Sequence, residues 1–163
     1  MSRPAGNELP AGVRELFDGS DVERATGATV LLLTVDETGW PRVAMLGAGE
    51  VLAAGPREVR VALWPDSRSA ANLAATARAT LALVHDGAGW YLRCAAGRRA
   101  DLPVDGGGRT LAAFVLTVEE TLTDVVPYAE LVSGVAFRLT EPDRVLPAWR
   151  EVMAALRNLP PPI

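Results

Sequence analysis

Residues 59–84 read VRVALWPDSRSAANLAATARATLALV, and this stretch decides the fold. Residues 59–64 alternate in polarity, as a half-buried strand does. PDSRS (65–69) is a tight polar turn, AANLAATARA (70–79) is Ala-rich and helical, and TLALV (80–84) is a second strand. Ala70, Leu73, Ala74 and Ala77 form a narrow stripe of small residues that predicts close packing of this helix on a sheet. The turn places Ser67, Arg68 and Ser69 where the helix begins. A helix N-terminus carries unpaired N–H groups and the positive end of the dipole, so hydroxyls and a guanidinium there suit a phosphate. On the turn alone, a helix capped by Ser67 or Asp66 with a solvated arginine explains the same residues.

Outward from this unit, residues 28–35 (ATVLLLTV) form a continuous apolar run, read as a strand covered on both sides. Residues 36–39 (DETG) make a hairpin turn, with Gly39 free to take the left-handed position. Residues 41–54 are the return strand, bent at Gly47 and Gly49. Residues 85–89 form a second hairpin loop, and residues 90–99 a further strand. Residues 102–109 contain Pro103 and Gly106, Gly107 and Gly108 and read as a loop. Residues 111–123 and 129–139 read as strands. Short helices are expected at 8–18, with Val13, Leu16 and Phe17 on one face, and at about 147–158, with Trp149, Val152, Met153 and Leu156 at helical spacing. Pro147 falls in the first turn of the latter, and Pro160, Pro161 and Pro162 end it. The expected fold is mainly β: a single domain over residues 1–163, six or seven antiparallel strands in a Greek-key split barrel, with flanking helices.

Composition narrows the function. At 163 residues and 49% hydrophobic content the chain buries a core without disulfides or metals. Its net charge of −4, with no basic face, argues against nucleic-acid binding. No apolar run approaches a membrane span, and MSRPAGNELPAG (1–12) lacks the apolar core of a signal peptide, so a cytoplasmic protein is expected. All 16 basic residues are arginine, a bias that a GC-rich genome accounts for. Without lysine, neither a Schiff base nor the lysine of a phosphate-binding P-loop is available. His85 reads as surface decoration, Cys94 as a buried small hydrophobe, and Glu119-Glu120 as a solvated pair; no metal site is expected. Tryptophans Trp64 and Trp90 belong in a core or interface by default.

Three segments taken in order resemble the pyridoxamine 5′-phosphate oxidase-like superfamily, the FMN-binding split barrels. They are LLLTVDETGWPRVAML (31–46), VALWPDSRSAANLAATARATLALV (61–84) and YAELVSGVAFRL (128–139). The resemblance covers roughly residues 8–140. It implies a homodimer with FMN in a cleft between subunits and a small-molecule substrate. The phosphate would be held at Ser67, Arg68 and Ser69, with Asn72 following. The flavin ring would be bordered by Arg42, Val43, Ala44 and Met45 of the return strand and by Leu63 and Trp64. The chemistry would be an oxidoreductase reaction carried by the flavin, with no catalytic acid or base indicated in the chain. Many relatives carry lysine at the position of Ser69. Pyridoxamine phosphate oxidases themselves carry arginine at the position of Ala44 and an Arg-Leu-His element near the C-terminus, absent here. Vitamin B6 oxidation is therefore not expected. A deazaflavin of the F420 type is the alternative cofactor. A cofactor-free barrel with a ligand-binding or stress-related accessory role is the alternative class.

Overall fold

The computed structural model describes residues 1–160. Along the chain the strands are Arg3–Pro4 (β1), Val30–Val35 (β2), Pro41–Leu46 (β3), Val51–Ala53 (β4), Glu58–Leu63 (β5), Arg78–His85 (β6), Ala88–Arg98 (β7), Leu102–Val104 (β8) and Arg109–Asp124 (β9). The helices are Ala11–Leu16 (α1), Arg68–Thr76 (α2) and Pro142–Arg157 (α3). All strands join one nine-stranded sheet in the order β3-β2-β6-β7-β9-β5-β4, with β1 and β8 also paired to β9. Every pairing is antiparallel. The mainly β antiparallel barrel expected from the sequence is therefore present, with more strands than expected.

The curl of the sheet follows from its connectivity. β3 and β4 lie at opposite ends of the strand order, yet only residues 47–50 join them. Laid flat, that order would separate the two by about 29 Å, whereas the link reaches at most about 18 Å. The sheet must roll up until its edges approach. β3 and β4 share no ladder, so the roll stays split there.

Strand alternation then builds two cores. Val51, Ala53, Val59, Val61, Leu63, Phe114 and Leu116 turn into the barrel, where Val13 and Phe17 of the α1 region and Ala70 and Leu73 of α2 join them. On the opposite face of the same strands, Leu52, Ala62, Leu111 and Ala113 pack against Val152, Met153 and Leu156 of α3. That half of the sheet is covered on both sides. The half made of β2 and β3 is not: Val30, Leu32 and Thr34 are buried, but Val35, Val43 and Met45 stay exposed on the outer face.

Several sequence expectations are corrected. Residues 28–35 are fully covered on one face only: Val30, Leu32 and Thr34 are buried, whereas Leu31 and Leu33 are half-buried and Val35 is exposed. Residues 41–54 divide into β3 and β4, which pair with different partners. The loop at 102–109 contains β8 and a 3-10 turn at Asp105–Gly107. The buried stripe of α2 is Ser69, Ala70, Asn72 and Leu73, whereas Ala74 and Ala77 are exposed. Helix α3 begins at Pro142, a residue pre-set for a first turn, and runs through Pro147. Residues 129–139 form no strand. They make only the bridges Ala28–Ala136 and Val126–Ala129, because the neighbouring edges of β6, β7 and β9 are already occupied. Pro161 and Pro162, read as helix terminators, lie outside the described residues.

Candidate functional site

Ser67 is the N-cap of α2, and its Oγ accepts the Ala70 N–H at 3.2 Å. The N–H groups of Arg68 and Ser69, one turn too early for an intrahelical acceptor, are left to face outward from the helix end. Arg68 is 66% exposed and stands 3.9 Å from Glu37 at the tip of the β2–β3 turn. An exposed pair at that distance contributes little, so the guanidinium is free to exchange Glu37 for an anion.

The β2–β3 turn is itself held rigidly. Asp36 Oδ1 accepts from the Thr38 hydroxyl at 2.7 Å, the Thr38 N–H at 2.9 Å and the Trp40 N–H at 3.0 Å. The Thr38 hydroxyl foremost, with these amides, holds the Asp36 carboxyl below its usual range. Gly39 closes the turn with φ of +85°. Asn72 Nδ2 donates to Thr34 Oγ1 at 3.0 Å, and both side chains are buried. This bond pins the helix end to the hairpin. Arg42 lies opposite Thr34 in the ladder and is therefore on the same sheet face as the pinned contact.

The structure thus brings Ser67, Arg68, Arg42 and the hairpin tip to one region. Val43 and Met45, 53% and 64% exposed, present an apolar surface on the other face of β3. Ala44 sits opposite Leu32 on the inner face. Trp64 is 56% exposed, and the Arg109 guanidinium lies 5.6 Å from its ring centre. Leu63 points into the barrel core, so only its backbone faces a ligand. Ser69 is buried, and the Asn72 amide is engaged with Thr34. A hollow of about 770 Å³ opens beside the same hairpin, among Leu33, Thr34, Pro41, Arg78 and Arg93.

No protein-family model matches the chain. The uncharacterized protein YclD of Bacillus subtilis (strain 168) is 32% identical over 145 residues, which are 88% of this chain and 92% of that protein. The fold is similar to a putative pyridoxamine 5′-phosphate oxidase from Lactobacillus delbrueckii, with TM-score 0.56, 17% identity, and coverage of 74% of this chain and 98% of that one. It is similar to HupZ of Group A Streptococcus, with TM-score 0.53, 14% identity, and coverage of 79% and 98%. It also matches a Clostridium acetobutylicum protein related to general stress protein 26, of the pyridoxinephosphate oxidase family, at TM-score 0.50, 15% identity, and coverage of 77% and 95%. These likenesses show a shared split-barrel fold. The chain belongs to the same family as YclD.

His85 lies outside the candidate site, and Cys94 lines the hollow beside the hairpin. His85 Nε2 lies 3.2 Å from Asp86 in the β6–β7 turn. Cys94 is buried, and burial together with the Glu119 charge pushes its thiol up to about 12, so it stays protonated and unreactive. Among the described residues no group of three or more His, Cys, Asp or Glu is placed to hold a metal ion. No helix among them is long and apolar enough to cross a membrane.

Sequence reasoning missed a second concave region. A cavity of about 560 Å³ lies beneath α3, outside the barrel, with Glu50, Trp64, Arg109, Arg144 and Trp149 in its lining. Glu50 closes the four-residue turn between β3 and β4, where its Oε2 accepts the Gly47 N–H at 2.9 Å. Burial raises its carboxyl above the usual range, and that amide only partly offsets the rise. Gly49 lets the Trp149 indole approach the turn; a Cβ there would lie 2.1 Å from the ring. The signal in the sequence was the Gly-Ala-Gly-Glu run (47–50), which a bend alone does not require.

Proposed function

We propose that this protein is a homodimeric FMN-binding flavoprotein that acts as an oxidoreductase on a small molecule. The observation that carries the reading is the exposed Arg68 at the Ser67-capped end of α2, beside the rigid β2–β3 hairpin. The residues present fit a phosphate-bearing cofactor. Arg68 and the two outward N–H groups supply charge-assisted donors, and Arg42 adds a second cation on the hairpin. Trp64 offers apolar surface to a flat ring, while Val43 and Met45, on the opposite face of β3 from Arg42, fall to the subunit interface. A relative named as a putative pyridoxamine 5′-phosphate oxidase shares the fold and supports the reading. A bound flavin supplies two-electron transfer through its ring; the chain binds and orients it and shields it from water. Ala44 offers no cation at the return strand, which argues against a phosphorylated vitamin B6 substrate there.

Dimerisation draws support from the outer face. Val35, Val43 and Met45 share one face of the β2–β3 pair and are all exposed, an apolar face that a partner subunit would cover.

The test is to purify the protein, record its absorption spectrum, and titrate FMN and F420 into wild type and Arg68→Ala. FMN is expected to bind wild type, and Arg68→Ala to bind about 10- to 100-fold more weakly, the cost of one charge-assisted contact. A colourless protein that binds neither cofactor overturns the reading. Equal FMN affinity in Arg68→Ala overturns the site.

A further inference from the structure

The cavity beneath α3 shares Trp64 with the phosphate seat, and of the two carboxylates and two guanidiniums that line it one carboxylate stands without an ion-pair partner. Asp105 is paired with Arg109, and Arg144 with Glu141. Glu50 is the one charged group of the lining without an oppositely charged partner among the described residues. Its Oε1 accepts no hydrogen bond from them either. A largely buried carboxyl without a counter-charge costs stability. Trp64, which carries the Arg109 guanidinium over its ring, and Trp149 also line the cavity, and Ala62, Leu111, Val145 and Val152 form the apolar part of its wall. Indole faces and an unpaired carboxylate attract the same kind of group. At about 560 Å³ the space is of the size that small-molecule sites have.

We propose that this cavity binds a small organic cation, an amine with a flat apolar body, whose ammonium group donates to Glu50 Oε1. The apolar body lies against Trp149 and the aliphatic wall, and the ammonium pairs with the carboxylate that the chain leaves without a partner. An anionic ligand of the same shape is repelled by Glu50, and a neutral one gains only the apolar contact.

Three probes of one shape separate these cases: 2-phenylethylamine, 2-phenylethanol and phenylacetate, titrated by calorimetry into the full chain as purified. The amine is expected to bind at least about tenfold more tightly than the alcohol, with the acid weakest. In Glu50→Gln, which keeps an acceptor for the Gly47 N–H, the preference for the amine should collapse to about threefold or less. Ala148→Phe, which fills the cavity from α3, should abolish binding of amine and alcohol alike. Equal binding of the three probes, no binding of the amine at millimolar concentration, or an amine preference that survives in Glu50→Gln overturns the proposal. The wild-type series decides alone if either variant fails to fold.

Discussion

Glu50 carries a stability signature of its own. Burial raises its pKa in the folded chain above the unfolded value, so the native state binds its proton more tightly. Stability attributable to Glu50 is therefore highest below the unfolded carboxyl range and is lost as pH rises through the folded pKa. Glu50→Gln removes that loss. The variant should melt above wild type at pH 7, with the difference shrinking towards pH 4, as thermal denaturation across that range will show. A variant that melts below wild type at pH 7 would mean that the carboxylate has a partner after all. At this scale the capped helix start was legible, because Ser67 and Arg68 stand together where the local sequence announces a helix. Asn72 was not: its amide turns inward only because Thr34, 38 positions away, provides a buried hydroxyl at 3.0 Å.

Helix α2 ends as informatively as it begins. Its C-cap, Ala77, has φ of +52° and ψ of +30°, a left-handed conformation that crowds a Cβ against the backbone. The Ala77 N–H still closes on Leu73 O at 3.0 Å, so the cap geometry is native to the turn. Ala77→Gly should relieve the crowding and stabilise the chain by about 1 kcal/mol, read from urea unfolding. An unchanged or lowered midpoint would show that the glycine's added freedom in the unfolded chain cancels the gain. Elements with local punctuation were readable: the Asp36–Gly39 turn, the Ser67 cap and the amphipathic α3. Residues 129–139 were not, since an alternating apolar pattern looks the same whether or not a free sheet edge exists to receive it. Nor was the division of residues 41–54 into β3 and β4, because glycines mark a bend without saying which strand pairs on either side.

On the scale of the whole molecule, one half of the barrel wall is sheathed by α3 and the other half is bare. The bare half, β2 and β3, carries Val43 and Met45 in the open beside the proposed flavin seat. If this face joins two subunits, replacing both residues with glutamate should yield a monomer by light scattering while circular dichroism retains the β signature. A wild-type monomer, or an unchanged dimer in the double variant, would move the interface elsewhere. The sequence by itself determined the strand–turn–helix–strand unit of residues 59–84, the hairpin before it and the all-arginine cation set, because propensity, turn chemistry and composition act over a few residues. It also announced the split-barrel fold, through the order of those units. Only the tertiary structure decided which faces are covered. It alone rolled β3 towards β4 across the short 47–50 link, brought Trp149 onto Gly49 from a hundred residues away, and left Glu50 half-buried without a counter-charge among the described residues. Those outcomes depend on the closure of the sheet and on where α3 docks, which no local pattern encodes.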